Sequence, residues 1–260
     1  MLRKRLIFTL IYSDGYFTQS RNFRLQRVGD IEWLQRNYRF QEIAFSLDEL
    51  IILNASRQDT SIAAFSNIVS ILRHNIFIPV AAGGGIRTEE DAEILFRHGA
   101  DKIALNSVLY TNSSLVKSLV NRYGSQSIVA SIDYKTVENN KEIFVENGNQ
   151  KISFSLDEYL DYVQSLNVGE IYLNSIDRDG TGFGYDIETI EQAKKQIRIP
   201  LIIAGGAGNE QHLMQGLKID DVSAAATANL FNFIGTGLPN ARKKIIESQI
   251  NLANWLNTLD

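Results

Sequence analysis

The sequence has no cysteine, and only three prolines, three histidines and two methionines among its 260 residues. Without cysteine there can be no disulfide, no thiolate metal site and no cysteine nucleophile. The histidines, His74, His98 and His212, fall in helical segments with no carboxylate pattern beside them. They read as surface or packing residues, and no metal site or cofactor is called for. No low-complexity linker divides the chain. No apolar run reaches the ~18 residues of a membrane span and no signal-peptide pattern precedes the first strand, so a cytoplasmic chain is expected. A net charge of −4 provides no domain-scale basic surface, which argues against a nucleic-acid binder.

What the chain does have is a substantial apolar content, 44% hydrophobic against 22% charged, enough to bury a large core. Two stretches answer each other: Val80-Ala81-Ala82-Gly83-Gly84-Gly85-Ile86 and Leu201-Ile202-Ile203-Ala204-Gly205-Gly206-Ala207-Gly208. Each is an apolar run, as in a buried parallel strand, that breaks into glycines before a helical pattern. Glycines there let bare backbone amides approach a ligand, and a helix N-terminus behind them favours an anion such as phosphate. Around these runs, strands are expected at residues 5–11, 49–54, 78–82, 102–106, 127–133, 170–174, 200–204 and 223–227. Helices are expected near residues 30–43, 60–73, from 88, 113–123, from 155, 187–196 and 240–256. Thr88-Glu89-Glu90-Asp91 and Ser155-Leu156-Asp157-Glu158 look like capping boxes. Residues 16–29 read as a long polar loop carrying Arg21, Arg24 and Arg27, and residues 134–153 as a small hairpin excursion.

Eight strand-helix alternations in this length point to one (β/α)8 barrel, a TIM barrel, with a doubly wound open sheet as the runner-up. Ala82-Gly83-Gly84 matches Ala204-Gly205-Gly206, and Ile11 matches Asp133, at an offset of 122. That spacing indicates duplicated half-barrels, about residues 1–122 and 123–260 of a single domain.

Ligands of such barrels meet the C-terminal strand ends. That face would present Gly83 to Gly85, Asn106, Ser107, Gly180, Gly205, Gly206 and Asn229, with two anion sites suited to a substrate phosphorylated at both ends. Asp133 ends the fifth strand and Asp179 follows the sixth, each able to exchange a proton or to brace a loop. Asn54 and Asn174 could hydrogen-bond the substrate or satisfy loop backbone. At the opposite end, Arg5, Glu49, Lys102 and Glu170 stand at strand starts and could form a ring of alternating charge, or four independent surface charges.

Taken together, these residues resemble the cyclase subunit of imidazole glycerol phosphate synthase, over nearly the whole chain. The motifs that carry the resemblance include Asp14-Gly15, Gly83-Gly84-Gly85-Ile86, Gly99-Ala100-Asp101-Lys102, Gly124-Ser125-Gln126, Ser131-Ile132-Asp133 and Gly205-Gly206-Ala207-Gly208. The most specific is Ser175-Ile176-Asp177-Arg178-Asp179-Gly180. The resemblance implies a glutaminase partner, whose ammonia passes a charged gate and the barrel to reach a bis-phosphorylated substrate. By position Arg5, Glu49, Lys102 and Glu170 match the gate, and Asp101 a residue facing the glutaminase. Gly85, Asn106, Ser107, Gly180, Gly206 and Asn229 match phosphate-binding positions. The chain departs from the family at the first strand: of the acid/base aspartate pair Asp133 remains, but Ile11 holds the other position. Gln19 replaces a flexible-loop lysine and Asn54 a second-strand aspartate. A retained gate with degraded proton-transfer groups resembles the divergent paralogues found with surface-polysaccharide genes. The leading expectation is therefore ammonia conduction for amidation of a nucleotide-linked sugar in lipopolysaccharide synthesis, with a sugar amidotransferase or synthetase as third component. A genuine histidine-pathway synthase subunit is the alternative, and a non-catalytic scaffold activating a glutaminase is the next.

Overall fold

The computed structural model describes residues 3–38, 43–58, 61–74 and 76–253. In chain order the elements are β1 (Arg5–Ser13), β2 (Tyr16–Arg21), β3 (Arg24–Gly29), α1 (Ile31–Tyr38), β4 (Glu49–Asn54), α2 (Ile62–Arg73), β5 (Val80–Gly83), α3 (Glu89–Arg97) and β6 (Lys102–Leu105). There follow α4 (Ser107–Thr111), α5 (Ser113–Tyr123), β7 (Ile128–Val137), β8 (Asn140–Val145), β9 (Gln150–Ser155), α6 (Leu156–Ser165) and β10 (Glu170–Ser175). The last are α7 (Ile187–Ala193), β11 (Leu201–Ala204), α8 (Glu210–Lys218), β12 (Val222–Thr227) and α9 (Gly237–Glu247).

Parallel pairing runs β1-β4-β5-β6-β7-β10-β11-β12 and returns to β1, closing a (β/α)8 barrel. Closure removes the open-sheet reading. Period-two alternation along each strand builds two cores. On β1, Leu6, Phe8 and Leu10 face the helices, while Ile7 belongs to a separate cluster inside the barrel with Ile51, Ala81, Val129, Ile202 and Ala224. The helices begin where their caps dictate. Thr88 and Asp91, and likewise Ser155 and Glu158, form reciprocal capping boxes.

The structure corrects several expectations. The polar loop after β1 is the antiparallel hairpin β2–β3, turning at Asn22-Phe23 with φ of 50° and 63°. A two-residue turn with both central φ positive usually announces itself by glycine, and phenylalanine concealed it. The excursion at residues 134–153 is, as expected, a hairpin, β7 running on into pairing with β8 and β8 with β9. One helix, α4, was not expected; α8, the helical pattern that follows the second glycine turn and holds His212, is capped by Asn209, whose side chain accepts from His212 N. The final helix ends at Glu247, short of the expected 256, and residues 254–260 lie outside the described residues. The first helix is seen to Tyr38, and the remainder expected at 39–42 lies outside them too, as does Thr60. Among the described residues no helix is long and apolar enough to cross a membrane.

Candidate functional site

At the N-terminal end of the barrel the four strand-start charges do meet. Arg5 Nη1 lies 2.6 Å from Glu49 Oε2, and Arg5 Nη2 lies 3.0 Å from Glu170 Oε1. Lys102 Nζ is 3.1 Å from both Glu49 Oε1 and Glu170 Oε2, so two cations and two carboxylates alternate in a closed ring. Glu49 is only 1% exposed. Burial raises its carboxyl above the ordinary range, against the opposing pull of Lys102 and Arg5. Asp101 stands on the rim beside this ring. Its Oδ2 accepts from Val80 N at 2.8 Å, and Arg73 approaches Oδ1 at 3.8 Å.

At the opposite end lies a pocket whose two sides differ chemically. Ile11, Phe23, Leu25 and Leu53 form an apolar wall, and Asp133, Asn106, Asn174 and Ser131 a polar one. β1 and β7 are four strands apart in an eight-strand ring, so Ile11 and Asp133 belong to opposite walls. Asp133 Oδ1 accepts from Asn174 Nδ2 at 3.0 Å and Oδ2 from Asn106 Nδ2 at 3.1 Å. Protein packed around the carboxylate pushes its pKa up to about 7; Asn174 opposes the rise and the Asp179 charge adds to it. Asp133 can thus take up and return a proton near neutral pH while two amides fix its orientation. Asn106 and Asn174 spend their side-chain donors on this carboxylate, and Asn106 Nδ2 also reaches Ser131 O.

The two glycine turns stand on β5 and β11, again opposite each other. Gly84 and Gly85 have φ of +93° and +82°, and a Cβ on Gly84 would lie 2.1 Å from Asn54 O. Gly85, Arg87, Asn106 and Ser107 line a depression on this side. Ser107 Oγ accepts from Glu146 N at 3.0 Å, which draws the β8–β9 hairpin toward it. Gly205, Gly206 and Asn229 line the central pocket from the other side. Asn229 Oδ1 is taken by Phe231 N and Asn232 N. His212 accepts from Gly208 N at 3.2 Å and so braces the second turn from behind. His98 bonds its own helix at Ile94 O. Asn54 Oδ1 accepts from Ser56 N at 3.1 Å, a turn-bracing use. Among the described residues no group of three or more metal-ligating side chains gathers.

Asp179 takes the loop-bracing role, one of the two that the sequence left open. Its Oδ2 accepts from Ser20 Oγ at 2.5 Å and from Phe23 N at 3.1 Å, fastening the β2–β3 hairpin over the pocket. Burial raises this carboxyl too, while Ser20 and the Phe23 amide oppose the rise. Asn22 Nδ2 donates to Ile176 O and Asp177 O, and Gln19 Oε1 accepts from Leu230 N. The hairpin sits so close that a Cβ on Gly180 would lie 1.8 Å from Ser20 O, which explains the glycine there. Ser20→Ala is expected to cost about 1–3 kcal/mol by leaving the buried carboxylate short of a donor. The same variant should speed tryptic cleavage at Arg21 and Arg24 several-fold. Unchanged cleavage would show that the hairpin is held by other means.

A model of the family described as histidine biosynthesis protein matches residues 25–235. A protein of Parasynechococcus marenigrum, provisionally named imidazole glycerol phosphate synthase subunit hisF2, is 44% identical over 98% of this chain and 95% of its own length. Proteins named imidazole glycerol phosphate synthase subunit HisF are 33% identical in Hydrogenobaculum sp. and 34% in Chlorobium phaeobacteroides, each over 97% of this chain and 99% of their own length. The chain therefore belongs to the histidine biosynthesis protein family, among the HisF-type cyclase subunits of imidazole glycerol phosphate synthase.

Proposed function

We propose that this chain is the acceptor-side subunit of a glutamine amidotransferase of the imidazole glycerol phosphate synthase type. A glutaminase partner docks on the charged end beside Asp101. Ammonia crosses the ring of Arg5, Glu49, Lys102 and Glu170 and travels along the apolar bore. In the pocket it meets a substrate whose two phosphates lie on the opposed glycine turns, at Gly85, Asn106 and Ser107 on one side and Gly180, Gly206 and Asn229 on the other. Asp133 carries protons for the ring-closing chemistry, and Asp179 holds the hairpin over it. The observation that carries this reading is the axial arrangement: a closed charged ring at one end and a buried carboxylate between two opposed glycine turns at the other.

Sugar amidation, the leading expectation from sequence, gives way here to the histidine-pathway alternative. The relatives' names refer to imidazole glycerol phosphate synthase, and no residue described points to a nucleotide-linked sugar. Ile11, with Gln19 and Asn54, favours a second reading, in which ammonia is delivered to an acceptor that another enzyme processes. A non-catalytic scaffold has no use for a ring across the bore.

Turnover of the bis-phosphorylated histidine precursor with free ammonium separates these readings. The wild type is expected to turn over slowly, and Ile11→Asp to gain ~10²-fold or more by restoring a second proton carrier. Turnover in neither protein would remove the cyclase reading and leave delivery to another acceptor.

A further inference from the structure

Between the charged ring and the pocket the barrel interior is lined by aliphatic side chains, small ones such as Ala81, Ala104 and Ala224 and larger ones such as Ile7, Ile51 and Ile202. One aromatic residue stands among them. Tyr172 lies two positions above Glu170 and two below Asn174 on β10, hence on the same inward face, and is 6% exposed. Its hydroxyl is 3.2 Å from Thr9 Oγ1, and Thr9 is 1% exposed. β1 and β10 are not neighbours in the ring, so this hydrogen bond spans the bore. Thr9 and Tyr172 also form the floor of the central pocket. A buried hydroxyl is costly unless paired, and an apolar side chain could fill the same space without that cost. The hydroxyl pair is therefore a feature that packing by itself does not require.

We propose that Tyr172, bridged to Thr9, is a second barrier in the bore, which ammonia passes by exchanging hydrogen bonds with the two hydroxyls. This rests on the reading that ammonia travels through the barrel. Ammonia offers one lone pair and three N–H donors. The phenol can donate to the lone pair while Thr9 Oγ1 accepts an N–H, so a passing molecule replaces the bond it interrupts. Burial raises the phenol above its ordinary pKa, and the charges of Asp133 and Asp179 add to the rise. The phenol therefore keeps its proton and remains a donor.

The test uses the complex with the glutaminase and compares turnover driven by glutamine with turnover driven by free ammonium, which enters from the open pocket. Tyr172→Phe keeps the ring and deletes the hydroxyl; it is expected to lower the glutamine-to-ammonium ratio several-fold, up to about tenfold. An unchanged ratio would overturn the proposal. A second measurement needs no turnover. Crystals under xenon should hold the gas between ring and pocket in Tyr172→Ala and not in the wild type, since apolar cavities of ~150 Å³ accept it. Xenon in the wild-type bore would show that Tyr172 does not close it. If no protein makes product from either nitrogen source, the cyclase reading fails, while the xenon result still decides the barrier.

Discussion

Asp133→Asn is expected to lower turnover with the bis-phosphorylated precursor by ~10²-fold or more, because the variant loses a pocket-wall carboxylate able to carry a proton near neutral pH. The wild-type rate should show a pH limb with its midpoint near about 7, and that limb should be absent from whatever activity the variant keeps. Stability provides an independent check. The folded-state pKa lies above the ordinary 3.8, so the folded protein holds this proton more tightly than the unfolded chain. The stabilisation is complete below pH ~4 and is lost as pH rises through about 7. The whole effect is at most about 4 kcal/mol, and less because the carboxylate faces the water of the pocket. Melting temperature should thus fall from pH 5 to pH 8 more in the wild type than in Asp133→Asn. A variant within about threefold of wild-type turnover would remove Asp133 from the proton path.

Lys102→Met should destabilise the chain by roughly 3 kcal/mol or more, lowering the melting temperature by about 6–12 °C. The ring explains the size. Glu49 is 1% exposed and relies on Lys102 and Arg5, while Lys102 also holds Glu170 at 3.1 Å. Removing one cation leaves two largely buried carboxylates sharing a single guanidinium, which is the costly way to break a buried ion pair. The sign with pH follows from Glu49. Its carboxyl is already raised, chiefly by burial, and loses one of the charges that hold it down. The deficit should therefore shrink at low pH, where Glu49 can take a proton, and grow at high pH. An unaltered melting temperature would mean that the four charges act as separate surface pairs of little worth.

Much of the frame was legible because its signals are local. Apolar runs ending in glycine, capping residues at Thr88 and Ser155, and alternation along 5–11 each depend on neighbours in the chain. A closed barrel then follows from their order. The charges at strand starts could also be found, since position on a strand fixes which end of the barrel a residue occupies. The β2–β3 hairpin escaped because its turn lacks glycine, and with it went the identity of the segment that Asp179 braces.

The sequence by itself determined the family, the (β/α)8 class and the placing of two glycine turns. Only the tertiary structure decided that the four charges close into one ring and that Asn106 and Asn174 are committed to Asp133. It alone decided that Tyr172 meets Thr9 across the bore. The physical reason is distance along the chain. These pairs are separated by 27 to 165 residues, and barrel closure and strand register, not local pattern, bring their atoms within hydrogen-bond range.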